Sequence, residues 1–380
     1  VEVGQKITLS VSGTSGNVTW TPTKGRIQGA GTEVIYIAPA QVGVGVDVIV
    51  VIDEAGNVGT VKMIVAPKQL VLPDLENASW EVFPAQLWIQ AILLSDDGKT
   101  LWVGTSIGLE QRDTSTGQLV SRLTTLDGLP SNGITGLESD GSGGLWISSG
   151  GLLTNLNISG ETTVYTADNW ELPSNEISAL KSDGRGGLWI GSKQWNENEE
   201  KTNYTLTYRS GSGEWDIYTI DNSALPNNEI TALETDDSGG VWIGTTGGLT
   251  YRSGSGEWII YTIDNSALPS HYIHVLETDD SGGLWIGTDD GLVYHSVSGE
   301  WTVYTTDNSA LPFNPVDTIE SDESGGLWIG TVYGNLVYHS VSGEWTEYKV
   351  GLPDNAIKAL ESDENGGLWI ATFEDLAYRS

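Results

Sequence analysis

From about residue 80 onward, apolar and polar positions fall into one pattern that keeps returning, and its most complete copy runs from Ile230 to Pro269. Ile230-Thr-Ala-Leu-Glu-Thr reads as a strand, Asp236-Asp-Ser-Gly-Gly is turn chemistry, and Val241-Trp-Ile-Gly-Thr is a second strand. Thr246-Gly-Gly turns the chain into Leu249-Thr-Tyr-Arg, Ser253-Gly-Ser-Gly turns it again, and Trp258-Ile-Ile-Tyr-Thr is a fourth strand. Four short antiparallel strands per period, with no helical pattern, predict one blade of a β-propeller.

The phrase at the second strand counts the blades. It stands at Leu101-Trp-Val-Gly, Leu145-Trp-Ile-Ser, Leu188-Trp-Ile-Gly, Val241-Trp-Ile-Gly, Leu284-Trp-Ile-Gly, Leu327-Trp-Ile-Gly and Leu368-Trp-Ile-Ala, with Trp-to-Trp steps of 44, 43, 53, 43, 43 and 41 residues. A period in this range marks a repeat of one supersecondary unit. The expectation is an all-β chain whose residues 78–380 form a seven-bladed propeller. After Trp369 only three strands remain, whereas Trp80-Glu-Val-Phe matches Trp258-Ile-Ile-Tyr and has no blade of its own. Residues 78–84 are therefore expected to complete the last blade, leaving no open sheet edge at the ring closure.

Residues 1–67 lack the repeat. Lys6-Ile-Thr-Leu-Ser-Val-Ser, the Trp20 segment, Val34-Ile-Tyr-Ile, Val46 to Ile52 and Thr60-Val-Lys-Met-Ile-Val read as short strands separated by turns, which suits a small β-sandwich. Through Leu9-Ser-Val-Ser-Gly, Val18-Thr-Trp and Asp53-x-x-Gly56-Asn this stretch resembles a bacterial immunoglobulin-like domain, which implies a spacer. Residues 68–77 read as a linker.

The stretch from Asp127-Gly-Leu-Pro-Ser-Asn to Gly144-Leu-Trp-Ile, repeated as Gly351-Leu-Pro-Asp-Asn-Ala-Ile leading into Leu368-Trp-Ile, resembles the two-component regulator propeller repeat. The resemblance covers residues 80 to 380 and implies an extracytoplasmic, ligand-recognising domain. In that family the propellers stand ahead of a membrane helix and a histidine kinase. Here the immunoglobulin-like segment precedes the propeller and neither helix nor kinase is present, so signalling does not simply carry over.

Seventeen basic against fifty-one acidic residues leave a net charge of −34. Such a surface repels phosphate backbones and anionic membranes, which argues against nucleic-acid binding. No apolar run is long enough to span a bilayer. Cysteine is absent, which removes disulfides, thiolate metal sites and a thiol nucleophile. The chain opens at Val1 with neither an initiator Met nor a signal-like segment, as expected of a processed protein or a fragment, and an extracellular or cell-surface bacterial protein is the expectation.

Alignment on the Trp places three sets of polar residues. Six residues before it stand Asp96, Asp140, Asp183, Asp236, Asp279, Asp322 and Asp363. Asp-x-x-Gly-Gly supplies too few oxygens for a calcium cage, so a turn role is expected and no cofactor is assigned. Eight residues before it, Glu138, Lys181, Glu234, Glu277, Glu320 and Glu361 either ring the central channel or bond between neighbouring blades. Fourteen residues before it stand Trp88, Asn132, Asn175, Asn228, His271, Asn314 and Asn355, where Asn suits a loop cap and Trp88 and His271 break the set.

Loops between blades and turns between second and third strands share one end of a propeller. There Tyr272, Phe313, Trp170, Tyr333 and Phe373 join the third set, together with the insertion that begins at Lys193. Aromatics and amides around a channel mouth suit a glycan or a protein partner. Catalysis finds no constellation. His295 and His339 stand where Arg209 and Arg252 stand in sister blades, His274 replaces Thr231, and Gly104-Thr-Ser-Ile-Gly is a strand turn rather than a nucleophile elbow. The expected function is a non-catalytic binding module. A self-assembling subunit of a filament, layer or adhesin and a polysaccharide-acting enzyme stay open as alternatives.

Overall fold

The computed structural model describes the strands within residues 1–87, and residues 88–380 apart from 167–171, 173–175, 197–199, 227–228, 237, 280, 323, 332–334, 349–355, 364–365 and 374. The chain divides into two compact units, Val1–Leu72 and Pro73–Ser380. In the first, six strands form two three-stranded antiparallel sheets. The turns and side chains that would make them an immunoglobulin-like sandwich lie outside the described residues, as does the 68–77 linker.

The second unit is a seven-bladed β-propeller with no α-helix among its described residues. Blade 4 is representative, with Ile230–Thr235, Val241–Thr245, Gly248–Arg252 and Trp258–Tyr261 paired in order from the innermost strand outward. Blade 7 takes Ile357–Ser362, Leu368–Thr372 and Asp375–Arg379 from the end of the chain and Trp80–Pro84 as its outer strand. The two ends pair antiparallel with Trp80 opposite Arg379 and Pro84 opposite Asp375, so the expected closure is present over Trp80–Pro84, while residues 78 and 79 lie outside the described residues.

The core lies between blades, because each sheet is apolar on both faces and can bury itself only against its neighbours. Trp285 of blade 5 packs into the cluster of Leu327, Ile329 and Val337 in blade 6, and Trp328 packs likewise against Leu368 and Ile370 in blade 7. Burying an indole removes roughly 150–250 Å² from water, about 4–6 kcal/mol gross at ~25 cal/mol per Å² and an upper bound. The glycine of the phrase is a close-approach position: a Cβ at Gly244 would lie 2.7 Å from Ile273 Cγ2 of the next blade.

At the lower end, where first-to-second and third-to-fourth strand turns lie, one arrangement recurs. Asp236 accepts from the Ser238 and Gly240 amides at 2.9 and 2.7 Å and from the Tyr251 hydroxyl at 2.6 Å. Asp183 with Tyr208, Asp279 with Tyr294, Asp322 with Tyr338 and Asp363 with Tyr378 repeat the hydroxyl bond at 2.7–2.8 Å. These carboxylates are occupied within their own turns.

Beside the turns, aromatic boxes close the seams. The Arg252 guanidinium stands 5.6 Å from the Trp189 ring, 4.8 Å from Tyr218 and 5.9 Å from Trp258. Arg209 and Arg379 occupy equivalent boxes. His295 lies 4.3 Å from Trp301 and 5.7 Å from Trp242, and His339 is placed in the same way. Blade 1 has Leu119 opposite Arg112 where blade 3 has Trp215 opposite Arg209. Its arginine pairs instead with buried Glu110 at 2.7 Å, and Arg122 pairs with the same carboxylate. An uncaged buried guanidinium needs an anion; a caged one uses the π faces.

Candidate functional site

Glu138, Glu234, Glu277, Glu320, Glu361 and Lys181 sit opposite their Trp on the innermost strands. They ring the axis and bond between blades at once. Glu320 Oε1 accepts from the Ser362 amide and hydroxyl at 3.0 and 2.8 Å, Glu361 Oε1 from the Leu94 amide at 2.8 Å, Glu138 Oε2 from the Ser182 amide at 3.2 Å, and Glu277 from the Ser321 hydroxyl. Lys181 Nζ lies 2.6 Å from Glu234 Oε2.

Five carboxylates and one ammonium in so narrow a space cannot all carry their ordinary charges. Burial, then Glu320 and Glu234, push Glu277 up to about 8. Burial and Glu361 do the same to Glu320, and burial with Glu138 and Glu277 to Glu361, each to about 8. Burial also raises Glu138, against the pull of Lys181. For Lys181 burial disfavours the charge, but Glu234, Glu138 and Glu277 outweigh it and hold the ammonium well above the usual lysine value.

Blade 1 corrects the alignment made on Trp spacing. Its first turn is one residue longer, so Leu93 pairs with Trp102 where Glu138 pairs with Trp146. The Ser95 amide bonds to the Thr100 carbonyl as the Asp140 amide bonds to that of Gly144. Asp96 therefore does not hold the turn position of the other aspartates, and Trp88, one residue before Ile89, corresponds to Tyr272 rather than His271.

At the upper mouth the structure supplies what sequence periodicity missed. Every innermost strand carries a register shift at its upper end, and the residue inside it is Gln90, Thr135, Ser178, Thr231, His274, Asp317 or Lys358. A bulge re-aims a side chain, and here neighbouring bulge residues approach one another. His274 Nε2 lies 2.7 Å from Asp289 Oδ1, and its Nδ1 lies 3.8 Å from Asp317 Oδ1 of the next blade. The Tyr272 ring packs on His274 at 4.6 Å. Burial, aided by Glu229, Asp289 and Asp317 and opposed by Lys193, raises the Tyr272 phenol. Lys193 Nζ is 2.6 Å from Glu229 Oε1, and Lys358 Nζ stands 4.2 Å over the Phe373 ring.

The expected ligand residues divide three ways. Trp88, Tyr272, Phe313 and Phe373 are exposed at this end, as is His271. Asn132 and Asn314 are loop caps, accepting from the Thr125 and Thr306 amides at 2.8 and 2.9 Å. Trp170, Asn175, Asn228, Tyr333 and Asn355 lie outside the described residues. In the sequence His274 stands only as the counterpart of Thr231, and Asp289 and Asp317 carry no signal, although the bulge position of the innermost strand is visibly where the blades disagree. A separate groove of about 410 Å³ opens at the lower end between blades 3 and 4, lined by Asp183, Arg185, Asp216, Tyr218, Asp236 and Arg252.

Four segments, 171–194, 224–247, 267–290 and 351–374, match the two-component regulator propeller. No curated protein matches the chain. Among solved structures, the extracellular domain assigned to a hybrid two-component system of B. thetaiotaomicron aligns with TM-score 0.66 at 18% identity, over 90% of this chain and 49% of that one. Virginiamycin B lyase from Staphylococcus aureus aligns with TM-score 0.64 at 14% identity, over 80% and 99%. YCF48 bound to D1 peptide aligns with TM-score 0.58 at 14%, over 82% and 98%. At these identities the likeness is one of fold, a β-propeller.

Proposed function

We propose that the chain is a non-catalytic binding module of the bacterial cell surface or exterior, in which the upper face of the propeller recognises a ligand or protein partner and an immunoglobulin-like unit serves as spacer. One observation carries the reading. The lower turns and seams repeat nearly the same contacts from blade to blade, whereas the bulge residues at the mouth differ almost everywhere and are surrounded by exposed aromatics. A pseudo-symmetric ring recognises something specific only through the positions that break its symmetry. Extracellular sensor domains among the structural neighbours support the location.

The test is a combined Trp88→Ala, His271→Ala and Tyr272→Ala variant on a glycan array and against peptide ligands. Loss of a binding signal with unchanged thermal unfolding supports the reading; unchanged binding overturns it. An enzymatic reading is favoured by one feature, the His274–Asp289 pair at the mouth of a fold shared with a lyase. Turnover abolished by His274→Ala would replace binding with catalysis.

A further inference from the structure

We propose that the partner of the upper face is a basic segment of another protein, with apolar residues seated on the aromatics and cationic side chains at the channel mouth over blades 5 and 6. The inference rests on the reading of the upper face as the binding face and adds the chemistry of what it binds.

Three observations converge. All five exposed aromatics among the described residues lie at the upper end, Trp88 at 63%, Phe373 at 40%, Phe313 at 39% and Tyr272 at 36% on loops and turns and Trp195 at 57% on the lengthened hairpin of blade 3. They stand on several blades around one face, and exposed aromatics on a face are the anchors protein interfaces favour. Second, from Ser253 to Tyr348, through the whole of blades 5 and 6, there is no Lys or Arg against fifteen Asp and Glu. At the mouth of that sector stand Asp289, its side chain 51% exposed, and Asp317, with only His274 between them. Third, at the upper end Lys193 of blade 3 is already held by Glu229 at 2.6 Å, and Lys358 of blade 7 lies over Phe373. Charge of one sign around an opening draws in and orients the opposite charge.

A neutral sugar would use the same aromatics but gains nothing from a sector emptied of cations. A cationic segment uses both. Aromatic faces also receive ammonium and guanidinium groups directly.

The experiment uses the full 380-residue chain and titration calorimetry. The probes are a soluble twelve-residue peptide with four lysines and two tryptophans spaced by Gly and Ser, its counterpart with Glu for Lys, and a neutral cello-oligosaccharide. The lysine peptide is expected to bind and the glutamate peptide not. Asp289→Asn with Asp317→Asn should weaken binding about tenfold or more, as should Trp88→Ala with Phe373→Ala. Glu300→Gln with Glu344→Gln removes the same two charges from the lower end of blades 5 and 6, at exposed positions, and should change affinity less than about twofold. Thermal unfolding of each variant checks that it is folded. Equal weakening by the lower-end pair would reduce the effect to net charge and overturn the proposal, as would failure of the lysine peptide to bind. Oligosaccharide binding lost with Trp88→Ala and Tyr272→Ala but kept with the Asp pair would leave the upper face as a binding face and refute a basic partner.

Discussion

The two ends of the propeller solve opposite problems with the same seven blades. At the lower end of blades 3 to 7 an Asp accepts turn amides and a Tyr hydroxyl, and an Arg or His fills an aromatic box, with nearly the same distances from blade to blade. At the upper end the bulge residues are amide, hydroxyl, imidazole, carboxylate and ammonium in turn. Repetition is what stability asks of a ring, since every seam must close equally well. Discrimination asks for the reverse. The contrast therefore separates residues that hold the ring from residues free to serve a task, and substitutions at the two ends should behave differently.

The largest effect is expected at a seam. Trp328 is 1% exposed between blades 6 and 7, so Trp328→Ala should cost about 3–5 kcal/mol in urea unfolding. Trp88→Ala at the mouth should stay within about 0.5 kcal/mol. Comparable losses at both would erase the distinction.

The channel ring gives the next effect. Glu277, Glu320 and Glu361 have folded values raised from about 4.5 to about 8, so between those limits the folded ring keeps protons that the unfolded chain has released. Their stabilising contribution is complete below about 4.5, declines as pH rises, and is gone above about 8. The unfolding midpoint should fall from pH 6 to pH 9, and replacing all three with Gln should flatten that slope. A slope unchanged in the triple variant would remove the ring as its source.

The aromatic boxes give the smallest effect, with opposite sign. Burial lowers His295 and His339 below the ordinary value of 6.5, so the unfolded chain takes up protons first and stability is lost as pH falls below about 6.5. His295→Arg, which copies the box of Arg252, should abolish the part of that acid sensitivity due to His295. Retention of the full acid slope in both His295→Arg and His339→Arg would place its origin elsewhere.

Most of the ring was legible because it is repeated. Trp spacing counted the blades, and the unpaired Trp80 segment pointed to the closing strand. What spacing could not carry was register. One added residue in the first turn of blade 1 moved Trp88 and Asp96 out of the alignment, since a ladder is set by which residues face each other rather than by distance from a landmark. The mouth was hidden for a related reason. His274 read as a variant of Thr231, and only the bulge, a feature of pairing between strands, turns that position toward Asp289 and Asp317. The channel ring was visible as six positions, but whether its carboxylates faced the axis or the next blade was undecided; the hydrogen bonds to Ser182, Ser321, Ser362 and Leu94 reach the next blade.

The closing strand has a mechanical consequence. Trp80 enters the ring directly opposite Arg379, so residue 80 and the end of the last strand lie side by side. A load pulling those two points apart would act across the ladder and break its hydrogen bonds one after another, as a zipper opens, instead of loading them together in shear. Tension applied there would open blade 7 before any other blade, and the propeller would yield first at the seam that joins its two ends.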